Sequence, residues 1–116
     1  MRKIPKSISA HNLNEWLNSE IEQPIIIDVR EVSELEIVTL PFSFIHMPMS
    51  EITVDYLKSR LNILENKKIV VLCHMGVRSF HFSQWMLDND FAHEIWNLEE
   101  GIDGWSQNID PQMARY

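Results

Sequence analysis

Cys73 is the sole cysteine of the chain, and it stands where the apolar run IVVL, residues 69–72, gives way to the turn HMGVRS, residues 74–79. A thiol at the end of a buried strand and just ahead of a helix is well placed for nucleophilic work. A tight turn there points several backbone N–H groups inward, forming a nest for an anion, and the following helix adds the positive end of its dipole. Arg78 adds a guanidinium beside it. Each of these favours thiolate over thiol, so Cys73 is expected to titrate below an ordinary cysteine and to act as a nucleophile. The competing reading of a lone cysteine is a small apolar residue closing the core; the anion-binding turn favours chemistry.

The second polar residue at a strand end is Asp28, after III at 25–27. Ligands of open α/β sheets bind beyond the carboxyl ends of the strands. Asp28 and Arg30 therefore read in two ways, as support for the floor of a site or as a buried ion pair at a strand end. His74, next to the thiol, either tunes or shuttles a proton or faces solvent. His11, His46, His81 and His93 lack the spacing of metal ligands, and one cysteine makes neither a disulfide nor a CxxC zinc pair. No metal and no cofactor is expected.

The elements that must position these residues alternate. Ser9 suits a helix N-cap, with Leu13, Trp16 and Leu17 as an apolar stripe, predicting a helix over roughly 10–19. IIIDV at 25–29 and IVVL at 69–72 are β-branched runs suited to strands buried on both faces. Residues 31–36 fit one helical turn, and a short strand falls near 44–46. Ser50 is expected to cap a second helix carrying Val54, Leu57, Leu61 and Leu64, and Ser79 a third over 80–89. That third helix is too apolar for one stripe, so part of it is expected to be exposed or to meet a partner. A strand over 93–97 and a short helix over 102–106 follow. Strands alternating with helices imply crossovers, hence a mostly parallel central sheet with helices on both faces, an α/β fold.

The 116 residues are one domain's worth of chain, with the core expected over about 8–106. A net charge of -7 argues against a nucleic-acid binder, which needs a cationic face, and against an anionic membrane surface. The segment MRKIPKSIS lacks the apolar run of a signal peptide, no apolar stretch approaches a membrane span, and a single cysteine suits a reducing compartment. A cytoplasmic location is expected.

IIIDVRE at 25–31, IVVLCHMGVRS at 69–79 and LEEGIDGW at 98–105 together resemble the single-domain rhodaneses, a sulfurtransferase family. The resemblance implies a persulfide mechanism: Cys73 takes a sulfane sulfur from thiosulfate or a persulfide donor and passes it to a thiol, a protein thiol included, or to cyanide. It implies that His74, Met75, Gly76, Val77, Arg78 and Ser79 cradle the substrate. With no second thiol, the sulfur must leave to an external acceptor. The chain departs from the family in two places. VTLPFSFIHMP at 38–48 stands where a GHIPGA-like stretch is usual, which alters the expected rim, and Glu100 replaces the first of two glycines. Two alternatives stay open. A binding or sensing module on the same fold is kept alive by the altered 40–48 stretch. A cysteine-dependent phosphatase or arsenate reductase also uses a Cys-to-Arg loop, but phosphatase loops hold five intervening residues and Cys73 and Arg78 hold four between them.

Overall fold

The computed structural model describes residues 2–116, and Leu61 by its backbone alone, so the expected role of the Leu61 side chain lies outside what is described. Five strands form one sheet: β1 (Lys6–Ile8), β2 (Ile25–Asp28), β3 (Ile45–His46), β4 (Lys68–Leu72) and β5 (Glu94–Leu98). Their order is β1-β5-β4-β2-β3, and every neighbouring pair is parallel. Asp28 lies opposite both Leu72 and His46, and Val71 opposite Asn97. A parallel register of this kind brings the residues that follow β2, β4 and β5 out at one end of the sheet, where Cys73 begins its turn.

The period-two alternation of the central strands divides the core. Ile69 and Val71 pack with Phe82, Met86 and Leu87 of α5 (Val77–Asp88) and with Leu57 of α3 (Val54–Lys58) and Leu64 of α4 (Leu61–Leu64). Val70 and Leu72 face Leu13 of α1 (Ala10–Leu17) and Ile102 and Trp105 of α6 (Gly101–Asn108). Both faces of β4 are therefore apolar, which is why its sequence runs unbroken rather than alternating. α2 (Val32–Leu35) is a single turn after β2. The fold is the expected α/β sandwich of helices about a parallel sheet. Among the described residues no helix is long and apolar enough to cross a membrane.

Ser9 caps α1 as expected, its hydroxyl accepting the Asn12 N–H at 3.1 Å. The other two caps fall elsewhere. Residues Met49–Glu51 form a 3-10 turn and Ile52 is extended, so Thr53 caps α3 instead of Ser50, and the helix breaks at Ser59–Arg60 into α3 and α4. The Ser50 hydroxyl donates to Glu31. α5 starts at Val77 from a left-handed Gly76, which places Ser79 inside the first turn. β1 escapes sequence reading because three residues, two of them exposed, carry no alternation. The part of α5 expected to stand clear includes Phe80, 40% exposed.

The corner between β5 and α6 leaves no room for extra atoms. Glu100 and Gly101 both adopt positive φ, 63° and 58°. A Cβ on Gly101 would lie 2.4 Å from the His74 carbonyl oxygen and 2.5 Å from that of Cys73. Gly101→Ala is therefore expected to cost about 3 kcal/mol or more, because neither backbone can move aside. A Cβ on Gly104 would meet the Glu100 Cβ at 2.5 Å. Gly104→Ala is expected to destabilise the wild type. In a Glu100→Gly background, where that contact and the strained φ are both gone, it is expected to stabilise by about 1 kcal/mol through helix propensity. Urea unfolding of the four combinations reads this non-additivity directly.

Candidate functional site

Cys73 is 1% exposed, at the end of β4. Two donors converge on its sulfur: the Gly76 N–H at 3.1 Å and the Ser79 hydroxyl at 3.2 Å. The left-handed Gly76, φ 95°, turns the chain back so that its N–H meets the sulfur three residues earlier. A side chain there would press on the Glu100 nitrogen at 3.1 Å and the Leu98 oxygen at 3.3 Å, so the position has neither the dihedral nor the room for one. Val77, Arg78 and Ser79 form the first turn of α5, where amides have no intrahelical acceptor. Donors aimed at a sulfur stabilise an anion there.

The outer wall of the turn is held by α6. The Ile102 N–H donates to the Cys73 carbonyl at 2.9 Å and the Asp103 N–H to the His74 carbonyl at 3.0 Å. The first-turn donors of α6 are thereby satisfied by the loop itself; Glu100, at the cap position, makes no side-chain cap. Of the expected cradle residues, Gly76 and Ser79 touch the sulfur. Met75 and Val77, 60% and 64% exposed, form an apolar rim with Phe80. The His74 ring stacks on Tyr116, with centroids 3.9 Å apart, so it meets an aromatic ring rather than open solvent.

Arg78 is placed differently from the free cation that the sequence suggests. Its guanidinium grips Glu34 in a two-point pair, both contacts 2.8 Å. Glu34 also accepts the Tyr116 hydroxyl at 2.9 Å and the Glu31 N–H at 2.9 Å. The Arg78 hydrogen bonds, followed by those from Glu31 N–H and Tyr116, hold the Glu34 carboxyl down at about 2 against the opposing effect of burial, and Glu34 pushes Arg78 up. The charge that faces the thiol is thus already balanced, and the contacts made to sulfur are neutral ones.

Asp28 and Arg30 form a buried ion pair, with Nε 3.0 Å and Nη2 2.8 Å from the carboxylate oxygens. Arg30 also donates to the Val38 carbonyl at 2.8 Å and the Tyr116 hydroxyl at 3.1 Å, and His46 Nε2–H donates to the Arg30 carbonyl at 2.6 Å. The guanidinium thus ties β2, through Asp28, to the Val38 backbone that follows it and to Tyr116 near the C-terminus. Phe42 and Phe44, expected at an altered rim, pack into the α1/α6 side of the core, with Phe42 edge-on to Trp105 at 5.9 Å.

Three residues that the sequence did not single out complete the arrangement. Glu34 meets Arg78 across 44 residues and Tyr116 meets Glu34 across 82, separations no local pattern reports. Asn97 left a signal, a polar residue near the end of the strand EIWNL. Its Oδ1 accepts the Ser79 hydroxyl, and its Nδ2 donates to the Gly76 carbonyl at 2.9 Å. A cleft of about 400 Å³, lined by Lys67, Asp90 and His93 among others, contains none of these residues.

The Glu34 carboxyl sets a pH window. Its folded value lies below its unfolded one, so its contribution is complete above about pH 4.5 and is lost as pH falls through about 2. Glu34→Gln is expected to cost on the order of 2 kcal/mol at pH 7, and the gap to wild type to close between pH 4.5 and 2, as measured by urea unfolding at each pH.

The sequence matches the Rhodanese-like domain family over residues 9–108. Rhodanese-like/PpiC domain-containing protein 12, chloroplastic, of Arabidopsis thaliana is 31% identical over 109 residues, covering 88% of this chain and 36% of that protein. Adenylyltransferase and sulfurtransferase MOCS3 of Drosophila persimilis is 38% identical over 95 residues, covering 79% of this chain and 21% of that protein. The chain thus spans about a third or less of these curated relatives. The crystal structure of a rhodanese-like domain protein from Staphylococcus aureus superposes with a TM-score of 0.71 at 26% identity, covering 96% of this chain and 98% of that one. With the sheet order, the cysteine loop and the match over residues 9–108 in agreement, the chain belongs to the rhodanese-like domain family.

Proposed function

We propose that the protein is a sulfurtransferase in which Cys73 carries a sulfane sulfur from thiosulfate or a persulfide donor to a thiol, a protein thiol included, or to cyanide. The observation that carries this reading is the convergence of two neutral donors, Gly76 N–H and the Ser79 hydroxyl, on the buried sulfur of the sole cysteine. The thiolate attacks the outer sulfur of the donor, the donor's S–S bond breaks, and its remainder leaves with the electron pair. With thiosulfate, Cys–S⁻ and S₂O₃²⁻ become Cys–S–S⁻ and SO₃²⁻. An acceptor nucleophile then attacks the terminal sulfur, and the Cys73 thiolate leaves.

A persulfide anion is a single soft centre without oxygens, and a nest of backbone N–H groups suits it. A phosphoryl group needs donors for three oxygens and a cation to balance them. Four residues between Cys73 and Arg78 supply one amide fewer than a phosphatase loop, and Arg78 is occupied by Glu34. Membership of a family with sulfurtransferase relatives supports the same reading.

Intact-protein mass spectrometry tests it. After thiosulfate or glutathione persulfide, the wild type is expected to gain one sulfur and to lose it to cyanide; Cys73→Ser is expected to gain none while unfolding normally. Uptake by Cys73→Ser, or none by the wild type from either donor, overturns the reading. The wild type is also expected to hydrolyse p-nitrophenyl phosphate at no more than the buffer rate, and robust hydrolysis without sulfur uptake would replace the sulfurtransferase by a phosphatase.

A further inference from the structure

Ser79 has one hydroxyl proton and two acceptors waiting for it. Its oxygen lies 3.2 Å from Cys73 Sγ and closer still to Asn97 Oδ1. All three residues are buried, Asn97 at 7% exposed and the other two at 1% or less. The Asn97 amide has no freedom to turn away. Its Nδ2 donates to the Gly76 carbonyl at 2.9 Å, and that carbonyl cannot accept from Oδ1, so Oδ1 must face Ser79.

We propose that Asn97 is a positioning residue that competes with the Cys73 sulfur for the Ser79 proton. The inference rests on Cys73 being the nucleophile. When Cys73 is a thiol, its S–H donates to the Ser79 oxygen, the Ser79 O–H donates to Asn97 Oδ1, and Asn97 Nδ2–H donates to Gly76. All four groups are satisfied in one direction. When Cys73 is a thiolate, the sulfur is an acceptor, and the Ser79 proton must swing to it. Asn97 Oδ1 is then left buried without a partner, which is unfavourable. Once a sulfur has been acquired, the negative charge sits on the outer atom and Sγ is neutral. The Ser79 proton then returns to Asn97. Asn97 thereby raises the energy of the bare thiolate relative to both the thiol and the loaded persulfide, making the thiolate more reactive toward a sulfur donor at a given population. Asn97 touches neither donor nor acceptor in this account; it acts through Ser79.

The other charged and titratable groups around the loop are His74, the Arg78–Glu34 pair and Tyr116, Glu100 at the start of α6, Asp103 of α6 with Arg115 beyond that helix, and the Asp28–Arg30 pair at the end of β2. None is altered by the variants that test the proposal.

The test is the pH dependence of iodoacetamide alkylation in wild type, Ser79→Ala, Asn97→Leu and the double variant. Ser79→Ala removes a donor, and the alkylation midpoint is expected to rise by about half to one unit. Asn97→Leu removes the competitor, and the midpoint is expected to fall by a similar amount. In the Ser79→Ala background there is no proton to release, so adding Asn97→Leu is expected to move nothing. A midpoint that Asn97→Leu raises or leaves alone overturns the proposal. So does a fall of equal size without the hydroxyl, which would mean that Asn97 acts only by shaping the Gly76 turn. If Asn97→Leu does not fold, the wild-type protein still decides. Its Asn97 side-chain amide resonance is expected to follow the Cys73 titration, and a response of the same size in Ser79→Ala overturns the competition. Alkylation needs no sulfur donor, so these outcomes are independent of whether a persulfide forms. The expected midpoint shifts without sulfur uptake would remove the sulfurtransferase reading and leave the competition standing.

Discussion

The arrangement depends on one close approach, the start of α6 against the first two peptides of the cysteine turn. Ile102 and Asp103 N–H groups hold the carbonyls of Cys73 and His74, and Gly101 is bare because any side chain would strike those same oxygens. Two consecutive carbonyls pinned to α6 fix how the chain leaves β4. To bring an N–H back to the sulfur, it must pass through a left-handed residue, and Gly76 sits where the Leu98 oxygen and the Glu100 nitrogen leave no room for a Cβ. A single corner of the fold, between β5 and α6, therefore shapes both ends of the turn. The same contact solves a problem for α6, whose first amides would otherwise lack acceptors because Glu100 supplies no side-chain cap.

Electrostatically, the neighbourhood of the thiol is a set of closed pairs. Asp28 neutralises Arg30, Glu34 neutralises Arg78, and Tyr116 joins the pairs by accepting from Arg30 and donating to Glu34. A buried or half-buried cation is tolerable only with such a partner. What remains to stabilise a sulfur anion is dipolar: the Gly76 N–H, the Ser79 hydroxyl and the unpaired start of α5. Dipoles fixed in a water-poor site are effective without moving, and they favour a small anion over one that needs several charges balanced.

The strands at 25–28 and 68–72 were legible because buried parallel strands must be apolar on both faces, and so were the Ser9 cap and the cysteine at the strand end, which depend on neighbours in sequence. What escaped was non-local. Arg78 reads as a free charge beside the thiol until Glu34, 44 residues away, is folded against it. Ser79 reads as a cap because serine ahead of FHFSQW fits one; only the left-handed Gly76 moves the helix start forward and turns that hydroxyl inward. Phe42 and Phe44 stand in a stretch that differs from the family pattern and so suggested a changed rim, yet their rings go to the core around Trp105. A sequence departure marks where the chain differs, and packing decides whether the difference reaches the site.

Burial of the thiol bears on the proposed chemistry in a further way. Cys73 is 1% exposed, so the resting sulfur offers almost no surface to a bulky electrophile. A disulfide-type bond adds about 2 Å beyond Sγ, and the acquired sulfur is the atom that carries the charge. Loading therefore moves the reactive centre outward while the inner sulfur stays between Gly76 and Ser79. The rim it approaches is apolar, with Met75 and Val77 more than half exposed on either side of Gly76. Apolar walls leave the terminal anion poorly solvated, which raises the ground state from which an acceptor attacks that sulfur and the Cys73 thiolate leaves. In the proposed transfer, this geometry protects the cysteine's own sulfur and presents the one to be given away.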